Sequence, residues 1–219
     1  MNTAMNKKYF VSGIGTDVGK TVASAILCKA LHAAYWKPVQ SGTILGSDKD
    51  TIRNLCGDDQ VIFEEQYALK EPLSPHTASR IEGVKIDVDS IRIPEHSGNL
   101  IIEGAGGLMV PITRKVLYNE WIKNQNLPVI LVSRHYLGSL NHTLLSLELL
   151  TSFDIEITGI LFVGKDNDNN EALICERYGV RNLGNLPEVS SVNATFVQIY
   201  ADELVNNWQK LNFTDLIQK

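Results

Sequence analysis

A nine-residue stretch, Gly13-Ile14-Gly15-Thr16-Asp17-Val18-Gly19-Lys20-Thr21, lies between the apolar run Tyr9-Phe10-Val11 and an apolar-rich segment that begins at Val22. Strand, glycine turn and helix in that order are the setting in which a phosphate cradle is built. The glycines let backbone N–H groups turn toward an anion, and the helix adds the positive end of its dipole. Lys20 can reach terminal phosphates as a point charge, and the Thr21 hydroxyl can ligate Mg²⁺. The spelling is irregular. Against the usual G-x-x-x-x-G-K pattern, Gly13 leaves one residue too many and Gly15 one too few. The stretch is either a variant phosphate loop or a chance glycine cluster, and its partners elsewhere in the chain must decide.

Short apolar runs alternate with longer amphipathic stretches along the whole chain, the pattern of a parallel sheet covered on both faces. The pattern predicts strands over 9–12, 35–39, 100–103, 129–133, 157–163 and 182–183. It predicts helices over 20–33, 50–55, 76–82, 118–124, 140–151, 170–178 and parts of 194–211. The expected fold is α/β, a three-layer P-loop NTPase type with a mostly parallel central sheet and helices on both faces. No repeat or linker divides the chain, so one domain spanning 1–219 is expected. The polar run Lys165–Asn170 superficially resembles a calcium loop. It has Glu171 where the loop needs glycine and lacks the closing glutamate, so a strand-to-helix turn is expected.

Composition narrows the function classes. A net charge of −5 with no dense basic run argues against nucleic acid and anionic membrane surfaces. No run approaches the roughly 18 apolar residues of a spanning helix, and the N-terminal residues lack the apolar core of a secretory signal. Cys28, Cys56 and Cys175 lie far apart without C-x-x-C spacing, as expected of reduced thiols in a cytoplasmic protein.

In an open parallel sheet, ligands bind beyond the carboxyl ends of the strands. Three further clusters fall at such ends. Lys37 in YWKPVQSG could be a surface charge or a second cation beside Lys20, with Ser41 and Gly42 just beyond it. In LIIEGAGGLMVP an apolar strand delivers Glu103 at its tip, as P-loop enzymes present a Mg²⁺-linked carboxylate. Gly104, Gly106 and Gly107 there permit close backbone approach to a ligand. GSDKDT offers Asp48 and Asp50, either of which could cap the next helix or supply a third oxygen ligand.

Taken together, GIGTDVGKTVAS, YWKPVQSG, EPLSPHTAS, EGAGGLMVP and LPVILVSRHYLGSLNHTLL resemble, in order, the dethiobiotin synthetase family of biotin biosynthesis. The resemblance spans most of the chain, and the family's own loop shares the long glycine spacing. It implies ATP- and Mg²⁺-dependent ring closure of 7,8-diaminononanoate with CO₂. The carbamate and a carbamic-phosphoric anhydride would be intermediates, and dethiobiotin, ADP and phosphate the products.

Carried over by position, Lys20 would contact the β- and γ-phosphates, and Lys37 would bridge carbamate and γ-phosphate. Thr16 and Ser41 would hydrogen-bond the carbamate. Asp17, Val18, Gly19 and Val22 would line the nucleotide, as would Gly104, Ala105 and Gly106. Thr21, Glu103 and Asp50, preferred here to Asp48, would hold Mg²⁺. Gly138, Leu140 and Asn141 of LGSLNH would take the substrate carboxylate across a homodimer interface. A packed, hydrogen-bonded role is expected of His76 and His142.

The sequence departs from the family in two places. The asparagine that reads adenine is replaced by Val163 or Gly164, so backbone contacts at Gly164 or the turn Leu186-Pro187-Glu188 would read the base. The glycine expected between the first helix and second strand is missing from HAAYWKP, which predicts a short junction. Two rivals share the loop. A P-loop small-molecule kinase would need a base beside an acceptor hydroxyl, and none is evident. A nucleotide-switched partitioning ATPase would carry an extra early lysine, absent from Gly13-Ile14-Gly15.

Overall fold

The computed structural model describes residues 6–166 and 168–217. Residues 1–5, within the N-terminal stretch assessed above, and Asn167, within the polar run, lie outside the described part.

Seven parallel strands form the main sheet: β1 (Lys8–Gly13), β2 (Ala34–Trp36), β4 (Ile62–Phe63), β6 (Leu100–Gly107), β7 (Val129–Arg134), β8 (Ile157–Val163) and β9 (Asn182–Leu186). They are ordered β4-β2-β6-β1-β7-β8-β9, so β1 lies at the centre, flanked by β6 and β7. Alternation along the strands sorts side chains into two apolar layers. Tyr9, Val11, Tyr35 and Ile101 pack under α1 (Lys20–Ala30) and α7 (Ala194–Lys210), with α2 (Asp48–Cys56) beside them. Phe10, Trp36 and Ile102 face α3 (Pro75–Glu82), α4 (Tyr118–Asn124) and α5 (Ser139–Ser152). Leu131, Ile160 and Phe162 extend that second layer to α6 (Asn170–Tyr178). The result is the expected three-layer arrangement, with nearly continuous apolar strands because both faces are covered. A four-residue helix, α8 (Thr214–Ile217), follows α7.

The predicted strand 35–39 is two strands. Pro38 has no N–H to give a sheet ladder, and the chain leaves the main sheet at Lys37. It continues as β3 (Val39–Ser41), which pairs with β5 (Tyr67–Leu69) in a separate two-stranded sheet. This step carries Lys37 away from the ladder toward the β6 tip. The short β4 and β5 leave no mark in the sequence, because two or three residues carry no period.

The first helix also stops earlier than predicted, at Ala30. His32 takes φ 47 and does there what a glycine usually does, while the Ala33 amide closes the turn on the Cys28 carbonyl at 2.9 Å. The polar run before α6 is a turn: the Asp166 carboxylate accepts from the amides of Asp168, Asn170 and Glu171. The cysteines are free thiols, and burial pushes Cys56 and Cys175 up to about 11. Among the described residues no helix is long and apolar enough to cross a membrane.

Candidate active site

The glycine loop joins β1 to α1, and its geometry explains the extra residue. Val18 folds back into the core beside Gly13, where a Cβ would stand only 2.5 Å from Val18 Cγ2. The chain therefore spends one residue on an internal anchor, and Thr16 and Asp17 remain exposed at the crest. Gly19 takes φ 91 at the N-cap of α1, a conformation that side chains disfavour. Lys20 is largely buried and arches over the loop to donate to the Gly15 carbonyl at 3.0 Å. Burial pulls its ammonium below the ordinary lysine value; neighbouring Lys37 pulls the same way, and Glu103 opposes both.

The centre of the site is Glu103, wholly buried at the tip of β6. Its Oε1 accepts from the Thr21 hydroxyl at 3.0 Å and lies 3.5 Å from Lys37 Nζ, while Oε2 accepts from the Tyr35 hydroxyl at 3.1 Å. Lys37 also pairs with Asp48. Burial disfavours the Lys37 ammonium, but Glu103 and Asp48 together outweigh it and hold the group above its ordinary value. At neutral pH Lys37 is thus a fixed cation and no proton acceptor. Five oxygen- or nitrogen-bearing side chains, Glu103 of β6, Thr21 of α1, Asp48 of α2, Tyr35 of β2 and Lys37 just beyond it, meet here at the carboxyl edge of the sheet.

A cleft of about 1000 Å³ opens over this cluster. Thr16, Asp17, Gly19, Lys20, Thr21 and Val22 form one wall, Lys37, Ser41 and Asp48 another, and Glu103, Ala105 and Gly106 the floor. Among the described residues Ser41 Oγ has no hydrogen-bond partner. Pro72, Leu73, Ser74 and Pro75, from the EPLSP stretch, close the rim.

Other expected residues stand elsewhere. Asp50 is exposed and turned back on Ser47, accepting from its hydroxyl at 2.7 Å, so of the two aspartates only Asp48 faces the cleft. Gly104 is a packing glycine: a Cβ there would stand 2.6 Å from Cζ of Phe10. Val18 is an anchor, as described. Gly138, Leu140 and Asn141, at the start of α5, are outside this cleft, as are Gly164, Leu186, Pro187 and Glu188 at the tips of β8 and β9. Both ring nitrogens of His76 are engaged, by Ser74 and Thr77, and His142 contacts the Tyr136 hydroxyl.

A family described as AAA domain matches residues 7–195. The ATP-dependent dethiobiotin synthetase BioD of Christiangramia forsetii is 46% identical over 91% of this chain and 96% of its own length. That of Cytophaga hutchinsonii is 44% identical over 92% and 98%. The chain belongs to the dethiobiotin synthetase family. Like its relatives it is an enzyme of the ATP-dependent ligase class.

Solved structures agree at the level of fold. A putative plasmid partition protein from Borrelia burgdorferi, bound to AMPPNP, superposes with TM-score 0.58 at 13% identity, over 94% of this chain and 99% of that one. A ParA family ATPase from Chlorobium tepidum gives 0.52, also at 13%, over 96% and 95%. Such identity speaks for the P-loop architecture alone.

Within this dethiobiotin synthetase framework, three side chains had no functional reading in the sequence. Tyr35 holds Glu103, as above. Gln40 Oε1 accepts the Asp48 amide at 3.2 Å, tying the start of α2 to β3. Arg134 donates to the Asp17 carbonyl at 3.2 Å and pairs with Glu188, linking the loop to the β9 turn. No local pattern marks any of these, since each acts across more than one element.

Proposed function

We propose that the cleft carries out ATP- and Mg²⁺-dependent carboxylation and ring closure of 7,8-diaminononanoate, giving dethiobiotin, ADP and phosphate. The observation that carries this reading is the pairing of two buried lysines around Glu103 at the mouth of the phosphate loop. The anions of such a reaction, namely carbamate, transferred phosphoryl group and released phosphate, need preorganised cations and donors more than they need a base.

Lys20 and the loop amides hold the β- and γ-phosphates. Lys37, kept charged by its carboxylates, lies between the phosphate loop and Ser41 and bridges the carbamate and γ-phosphate. Thr16 and the unpartnered Ser41 hydroxyl orient the carbamate for attack, so that ADP leaves. The second amine then closes the ring and phosphate leaves. Thr21, Asp48 and Glu103 supply the hard oxygen donors that suit Mg²⁺, with phosphate and water completing its coordination. Bound Mg²⁺ would neutralise phosphate charge. The aspartate assigned to it is Asp48, since Asp50 points away.

The substrate carboxylate fits the start of α5, where Gly138 caps the helix and Asn141 is exposed. A second copy of the chain would bring that helix end over the cleft, making the protein a homodimer. Support comes from the exposed Tyr136 and fully exposed Leu137 beside it. The base would be read by the Gly164 backbone or the Leu186-Pro187-Glu188 turn, which lie close together at the tips of β8 and β9. A cytoplasmic address and one catalytic domain over the whole length complete the proposal.

Incubation with ¹³C-bicarbonate, MgATP and the diamine should yield labelled cyclic urea and ADP by mass spectrometry. ADP release without carbon incorporation would overturn it in favour of the kinase or switch ATPase reading.

A further inference from the structure

Tyr35 is a fully buried tyrosine two residues before Lys37, and no step above uses it. Its place in the sheet is specific. Tyr35 pairs with Ile101 in the β2–β6 register, and Glu103 lies two residues further along β6, on the same face. The ring therefore runs diagonally along the sheet and brings its hydroxyl to Glu103 Oε2 at 3.1 Å. The other oxygen, Oε1, is the one turned to Thr21 and Lys37. The two oxygens of this buried carboxylate thus have separate tasks: one is tied into the core, the other faces the cleft.

We infer that Tyr35 is a positioning residue that locks Glu103 as a one-oxygen ligand and thereby tunes the site to Mg²⁺ over larger divalent cations. The inference rests on the assignment of Glu103 to the metal. Mg²⁺ demands near-octahedral geometry and takes carboxylates through single oxygens. Ca²⁺ accepts more ligands and a bidentate carboxylate. A phenol O–H donating to Oε2 fixes the carboxylate's rotation and keeps that oxygen from a metal. Groups that orient a metal ligand in this way commonly affect metal affinity by about 10- to 100-fold.

The test is calorimetric titration of Mg²⁺ and of Ca²⁺ into protein saturated with a non-hydrolysable ATP analogue. Unaltered protein should bind Mg²⁺ more tightly than Ca²⁺. Tyr35→Phe, which removes one oxygen atom, should weaken Mg²⁺ binding by about 10-fold or more while Ca²⁺ binding holds or improves. In a Glu103→Gln background, Tyr35→Phe should change neither affinity further. Equal Mg²⁺ and Ca²⁺ affinities in the unaltered protein would overturn the inference without any variant. So would a folded Tyr35→Phe protein with unchanged metal preference. If Glu103→Gln itself leaves Mg²⁺ binding intact, the metal assignment fails and the inference with it. If Glu103→Gln weakens Mg²⁺ and Tyr35→Phe does not, only the role of Tyr35 is lost.

Discussion

Replacing Lys37 by methionine keeps most of the side chain's volume and removes one charge from a cluster that water barely reaches. The Lys37 side chain is 6% exposed and that of Glu103 1%, while Asp48 keeps 27%. Breaking a buried ion pair by deleting one partner costs about 3–5 kcal/mol, because the remaining charge stays desolvated. Asp48 can recover hydration, so the lower end, about 3 kcal/mol, applies here. For a chain of this size that lowers Tm by about 6–12 °C.

Two carboxylates without their ammonium also form a stronger cation site. Mg²⁺ should therefore raise Tm more in Lys37→Met than in the unaltered protein. Turnover should fall by about 100- to 1000-fold, the usual cost of losing one electrostatic donor to a developing charge. Differential scanning fluorimetry with and without Mg²⁺, beside steady-state kinetics, reads all three effects. A Tm unchanged within about 2 °C together with near-normal turnover would refute the reasoning.

Asp48→Asn should abolish most activity and weaken Mg²⁺ binding, whereas Asp50→Asn should stay within about 2-fold on both, because only Asp48 faces the cleft; kinetics and metal titration of the pair check this. Lys20 has its ammonium pulled below the ordinary value of 10.5, so nucleotide affinity should fall as pH rises through a window below that value. In Lys20→Arg that alkaline limb should disappear, since guanidinium stays protonated. Lys37, held above its ordinary value, should add no limb in that window, and a pH series of nucleotide Kd in both proteins would show it. Gly104→Ala drives a methyl group against the Phe10 ring and should cost about 1–3 kcal/mol in a thermal melt, with no other change in the site.

Much of the architecture was legible because buried parallel strands announce themselves as continuous apolar runs. The loop, Glu103 and the two lysines were legible because strand-to-turn boundaries in such a sheet are also its ligand edge. What stayed hidden depended on direction or distance. Asp48 and Asp50 share the first turn of α2, about 200° apart around its axis, so one faces the cleft and the other faces away. Spacing alone does not say which. Tyr35 and Glu103 are 68 residues apart and meet only through strand register. His32 replaced an expected glycine by taking a left-handed conformation, an option the residue type disfavours but the tight turn imposes. Gly104 looks like a ligand-approach glycine in the sequence because nearby Gly106 is one that lines the cleft, yet Phe10 occupies the space a side chain would need, and Gly107 backs onto the Gly13 carbonyl rather than the cleft.

The proposed reaction turns on attack of the carbamate on the phosphoryl group held between Lys20 and Lys37. Fully ¹⁸O-labelled bicarbonate, supplied with MgATP and the diamine and quenched early, tests it directly. If that attack occurs, one labelled oxygen leaves in the released phosphate and one remains in the urea carbonyl of the product. Phosphate whose new oxygen comes only from solvent would contradict it.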